Sequence, residues 1–261
     1  MLPIVGVRPL SGRTGTTLLL NLLGTSPAIT FERRYPAEYR VASYLALIAG
    51  QMTEPFDAAV HPGVTELCFG PKPAWGPLPF ATDTLDVGAW RPGLLRAMWG
   101  SASEELRRKQ PGARWYAEKL AVDSASLRDA GIEVLTIDLV RDPRDVLASR
   151  RSFTAGGTEA WARDADGLAA ELDARLDELD ADPADVRLRY EELAGDLTAA
   201  AGELGERLGV VLDPAAVARP DHHVTTESTA ASIGRWRRDL APGDAEALGG
   251  VARRLGYERV S

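Results

Sequence analysis

One cysteine (Cys68), three histidines and three lysines (Lys72, Lys109, Lys119) are all that this 261-residue chain carries of those types. A lone thiol excludes a disulfide framework and any multi-cysteine zinc site, and it fits a reducing compartment. So few histidines also leave little from which to build a metal centre, and no metal is expected. Long apolar runs are missing as well. The longest, Leu18 to Leu23, is interrupted by Asn21 and is far shorter than a membrane span requires. Met1 to Val7 is apolar from the outset and has no basic start, so no signal peptide is expected and the cytoplasm is the expected location. Net positive charge is absent too. A formal charge of −8 argues against a nucleic-acid partner or a highly sulfated polymer, both of which need a broad basic face.

What remains is an ordinary globular composition, 45% hydrophobic and 26% charged, enough to bury a core without staples. A single domain over residues 1–261 is expected. Arginine supplies 27 of the 30 basic residues, which points to a GC-rich bacterial coding sequence. Pro3 to Val7 reads as a buried strand, and Thr16 to Leu23 as a helix stopped by Gly24. Val41, Tyr44, Leu45 and Ile48 recur at helical spacing over Ala37 to Ala49, with Gly50 as the stop. From Gln51 to Pro92 seven prolines break the pattern, and so long an irregular insertion suggests a functional lid. Further along, the pattern predicts a helix at Leu94 to Lys109, strands at Arg114 to Glu118, Ile132 to Val140 and Val186 to Tyr190, and a helix at Leu197 to Leu208. Asp142-Pro143 should cap a helix running to Arg151, and Leu168, Leu172, Leu176 and Leu179 mark an acidic surface helix. Alternating helices and strands imply an α/β fold, a parallel sheet flanked by helices.

Between the first strand and first helix lies Ser11-Gly12-Arg13-Thr14-Gly15-Thr16-Thr17. Small residues there let the backbone wrap an anion, while the helix-start amides, Arg13 and the hydroxyls of Thr16 and Thr17 supply donors. It is a phosphate cradle, but not the nucleoside-triphosphatase loop, because no lysine precedes the threonines. Arg141 falls at the carboxyl end of a strand, where open sheets bind ligands, and Ser149 lies about two turns into the following helix.

Arg13-Thr14-Gly15-Thr16-Thr17 resembles the 5′-phosphosulfate loop of sulfotransferases, commonly R-S-G-T-T, and Arg141 with Ser149 is similar to that family's 3′-phosphate site. Arg189-Tyr190-Glu191-Glu192-Leu193 resembles its R-Y-E-D-L segment, whose tyrosine lies near the adenine. Ser232-Ile233-Gly234-Arg235-Trp236 resembles the S-x-G-R-W segment that closes over the nucleotide. The resemblance implies a P-loop-like sheet and 3′-phosphoadenosine 5′-phosphosulfate (PAPS) as co-substrate, with no metal. It further implies nucleotide contacts from Arg13, Thr14, Gly15, Thr16, Thr17, Arg141, Ser149, Tyr190, Ser232, Gly234, Arg235 and Trp236.

Many small-molecule members of the family place a histidine base at a strand end, where this chain has Glu118-Lys119-Leu120. Pro36-Ala37-Glu38-Tyr39-Arg40 instead resembles the segment of carbohydrate and tyrosyl-protein sulfotransferases whose glutamate is the base. Glu38 is therefore the expected catalytic base, with His222-His223 in reserve; the plainer alternative is that Glu38 merely complements a helix dipole. Arg13 is expected to stabilise the departing nucleotide, and Lys119 either shares the sulfuryl group or is solvated. Ten of the seventeen aromatics fall between Phe31 and Trp99, predicting a small, partly apolar acceptor, such as a bacterial secondary metabolite, or else a second small core. A P-loop nucleotide kinase and a catalytically silent nucleotide-binding protein remain alternative readings.

Overall fold

The computed structural model describes residues 1–33, 40–53, 89–153, 164–217 and 228–257. The β-branched run near the amino terminus forms β1 (Ile4–Pro9), and both its faces are buried. It lies at the centre of a five-stranded, all-parallel sheet of order β2-β3-β1-β4-β5. The other strands are β2 (Ile29–Thr30), β3 (Trp115–Lys119), β4 (Val134–Val140) and β5 (Val186–Arg189). Val7 sits opposite Lys119 on one side and Ile137 on the other, so β1, β3 and β4 end near one carboxyl edge.

Alternation along β1 divides the core. Val5 and Val7 pack with Leu19, Leu23, Leu204 and Leu208, from α1 (Thr16–Leu23) and the helix at Leu197–Leu208. Ile4 packs on the opposite face with Trp99 and Tyr116, beneath α2 (Val41–Thr53) and α3 (Trp90–Lys109). Trp99 is fully buried, donates from its indole nitrogen to Leu2 O at 2.8 Å, and meets Tyr116 edge-on at 5.2 Å. Past β3 come α4 (Ser124–Asp129) and, after β4, α5 (Pro143–Phe153) and α6 (Ala165–Ala181). The four leucines predicted on α6 are all buried, in a third cluster with Leu10 and Leu147. The remaining α-helices among the described residues are α7 (Tyr190–Gly195), α8 (Leu197–Leu208), α9 (Trp236–Asp239), α10 (Pro242–Ala247) and α11 (Gly249–Arg254).

Two expected boundaries are read through. Gly50 does not end α2, which continues to Thr53; the glycine leaves room for the guanidinium of Arg91 on α3. Pro92 lies in the first turn of α3, where a missing N–H costs nothing. The irregular insertion expected over Gln51 to Pro92 is thus helical at both ends, and residues 54–88 lie outside those described.

Candidate functional site

The strand order reverses direction at β1, the place where an open parallel sheet leaves a crevice beyond its carboxyl ends. The turn that follows β1 contains two left-handed residues, Arg13 at φ 72° and Gly15 at φ 98°. For arginine that conformation costs about 1–2 kcal/mol, a strain that concentrates at functional turns. Thr14 is buried and donates its hydroxyl to Ser11 O at 2.9 Å, closing the loop on itself. Gly15 precedes α1 and provides no side-chain cap, so the opening amides of α1 keep the arrangement in which helix starts bind anions.

A Cβ on Gly15 would run into the ring of Tyr190. Gly15→Ala is therefore expected to destabilise the fold by about 1–3 kcal/mol, combining the positive-φ penalty with displacement of the tyrosine. Urea unfolding measures it, and a loss below about 0.5 kcal/mol would show that the turn relaxes freely.

Tyr190, the first residue of α7, ties the cradle to the other motifs. Its hydroxyl is 2.8 Å from Ser232 Oγ, and the guanidinium of Arg141 lies 4.2 Å from its ring centroid. Arg141 is almost wholly buried at the end of β4. Its Nη1 donates to Arg13 O at 3.0 Å and its Nη2 to Ser232 O at 2.7 Å. Its Nε is buried and finds no acceptor among the described residues. A buried donor left unmade costs about 1–3 kcal/mol, which an anion bound here would recover. Arg13 Nε donates to Ser149 Oγ at 3.2 Å, and its guanidinium lies 4.7 Å from the Phe153 ring. Burial first, then the charge of Arg141, hold the Arg13 guanidinium below its ordinary pKa. Two cations so placed, beside an unfilled donor, suit a multiply charged anion.

Asp142 caps α5 as expected, accepting from Arg144 N at 3.0 Å. Asp145, three positions after Asp142, was legible in the sequence only as an acid in a first helical turn. In the fold its Oδ2 accepts from Gly234 N at 2.7 Å and its Oδ1 from Trp236 N at 3.0 Å. Burial pushes its carboxyl up to about 6, against the pull of the two amides and Arg141, while Asp142 adds a smaller push upward. Because the folded value exceeds the unfolded one, the associated stability is complete below about pH 4 and is lost as pH rises through 6. Relative to Asp145→Asn, the wild type should therefore lose about 2–3 kcal/mol of unfolding free energy between pH 4 and pH 7. Parallel profiles for the two proteins would refute the shift.

A model of the sulfotransferase family matches residues 11–214, which spans the cradle, Arg141, Ser149 and Tyr190. The chain belongs to the sulfotransferase family. The sulfotransferase domain of the Synechococcus PCC 7002 olefin synthase superposes with a TM-score of 0.54 at 16% identity, covering 99% of this chain and 97% of that one. The Mycobacterium avium sulfotransferase STF9 aligns at a TM-score of 0.41 and 16% identity, over 97% of this chain and 75% of that one. No curated protein matches the sequence significantly.

As a sulfotransferase domain, the chain brings together Arg13, Gly15, Arg141, Ser149, Tyr190 and Ser232 from four distant stretches. Thr16 and Thr17 open α1 and are half-buried. Gly234 (φ 68°) and buried Trp236 are fastened to Asp145, and the Trp236 ring also carries the guanidinium of Arg144 at 4.1 Å. Arg235 pairs with Asp239 and donates to Ser152. Lys119 ends β3, mostly buried, and lines a cavity of about 720 Å³ with Arg8, Leu120, Val122, Leu179 and Asp182. Its neighbour Glu118 points to the opposite face. There it accepts from Ala42 N at 2.8 Å, from Ser43 N at 2.9 Å and from Ser43 Oγ at 2.6 Å, fixing the start of α2, and burial raises its pKa. Glu38, His222 and His223 lie outside the described residues. Among the described residues no cluster of metal-ligating side chains occurs, and no helix is long and apolar enough to cross a membrane.

Proposed function

We propose that this sulfotransferase transfers the sulfuryl group of PAPS to a hydroxyl of a small, partly apolar molecule in the cytoplasm. The observation that carries the choice of donor is the pairing of two anion-binding arrangements on one sheet edge. The Arg13 to Thr17 cradle suits the 5′-phosphosulfate, and Arg141, with its unfilled buried Nε, suits a 3′-phosphate together with Ser149. The bound donor supplies the activated sulfuryl group. The rest falls to the chain's own residues: the cradle amides and Arg13 hold negative charge on the departing nucleotide, and Glu38 accepts the proton of the acceptor hydroxyl. Arginine stays protonated at ordinary pH, so Arg13 stabilises charge and donates no proton to the leaving group. Lys119 is suited to steady the sulfuryl oxygens from the rim of the cavity. The net charge of −8 supports a small acceptor over a long, highly sulfated polymer, which would need a broad basic face.

Turnover of labelled PAPS against a panel of alcohols, phenols and glycosides tests this reading. We expect sulfate transfer to small acceptors and undiminished rates in EDTA. Transfer only to polyanionic glycans would overturn the acceptor class. Magnesium-dependent phosphoryl transfer from ATP would establish a kinase instead, and tight nucleotide binding without turnover a silent binder.

A further inference from the structure

The stretch from Ser232 to Trp236 has little secondary structure to hold it. It joins a 3₁₀ turn (Ala230–Ser232) to the four-residue helix α9 through a left-handed glycine, and a helix so short has no stability of its own. Its place in the fold is set from outside, mainly from α5 and the end of β4. The Asp145 carboxylate takes the amides of both Gly234 and Trp236, and Arg141 takes the carbonyl of Ser232. Asp145 is 1% exposed, so these two amides are its compensation for burial. The same short stretch of chain therefore carries Arg141, the Asp145 anchor and, one turn further along α5, Ser149.

We propose that Asp145 is a positioning residue for the 3′-phosphate side of the nucleotide site. By fastening Gly234 and Trp236 to α5, it keeps the Ser232 carbonyl where it orients Arg141 and the Ser232 hydroxyl where it meets Tyr190. The proposal rests on reading Arg141 and Ser149 as the 3′-phosphate site. Asp145 itself touches neither donor nor acceptor in this scheme; it acts through the segment it holds. Release of that segment removes one of the two carbonyls that fix the Arg141 guanidinium. It leaves the cradle turn, closed by its own Thr14 to Ser11 bond, intact.

The experiment compares wild type, Asp145→Ala and Asp145→Asn by calorimetry with AMP and with adenosine 3′,5′-bisphosphate, and by residue-level amide hydrogen exchange without nucleotide. The asparagine variant keeps the shape and one acceptor, and serves if the alanine variant does not fold. We expect bisphosphate affinity to fall at least ten-fold in Asp145→Ala and less in Asp145→Asn, with AMP, which shares only the adenine side at Tyr190, losing several-fold less than the bisphosphate. KM for the donor should rise while kcat at saturation stays within about three-fold. The Gly234 and Trp236 amides should exchange faster in both variants. Equal losses for both nucleotides, or unchanged bisphosphate affinity despite faster exchange, would overturn the proposal. If the wild type binds the bisphosphate no better than AMP, the 3′-phosphate reading fails by itself. The exchange rates then decide separately whether Asp145 holds the segment, and unchanged rates overturn that too.

Discussion

Arg141→Ala is expected to weaken adenosine 3′,5′-bisphosphate by about 1.5–3 kcal/mol, roughly ten- to hundred-fold in affinity, while leaving AMP nearly unaffected. The magnitude is that of hydrogen bonds between a guanidinium and a charged oxygen, here made by a side chain that is almost entirely buried and needs no further desolvation. The truncation also strips a donor from Arg13 O and from Ser232 O, so the Ser232 segment should loosen with it. Titration calorimetry with both nucleotides reads the difference directly. Equal affinity of the wild type for the two would remove Arg141 from the 3′-phosphate site, because AMP has no such group.

Glu38→Gln should lower kcat by about a hundred-fold or more while leaving nucleotide affinity unchanged, the behaviour of a group whose interaction with substrate forms only in the transition state. Glutamine keeps the shape and loses the ability to take a proton. Glu118, the carboxylate next to Lys119 on β3, is consumed by the amides of Ala42 and Ser43, so it anchors the start of α2 instead of facing the cradle. Its anchoring fixes the helix that follows the Glu38 segment. His222→Ala should be mild by comparison. The reverse ranking at saturating donor would move the base to the histidine pair and leave Glu38 as a helix-start residue.

Much of the architecture was legible in the sequence because its signals are local. Thr16 to Leu23 and Leu197 to Leu208 form helices over the predicted residues, and Asp142-Pro143 opens α5, since a cap and a stop act within one turn. Burial on both faces was written into Ile132 to Val140 as an apolar run, and the central and flanking strands it implied are parallel. Where the reading erred, a tertiary contact outweighed a local preference. Gly50 ends helices by default, yet here it admits Arg91 and the helix runs on. Tyr190 has a strong strand preference but begins α7, with Glu192 folding back on the Arg189 amide.

By itself the sequence determined the alternation of strands and helices, the cradle after β1 and the four motifs, because each depends on neighbours a few residues apart. Only the tertiary structure decided that Arg13, Arg141, Ser149, Tyr190 and Ser232 meet at one edge, since their convergence depends on which strands lie side by side. It alone gave Asp145 and Glu118 their roles. Both are carboxylates at helix starts or strand ends whose partners are backbone amides far along the chain, and an amide leaves no trace in a sequence of side chains.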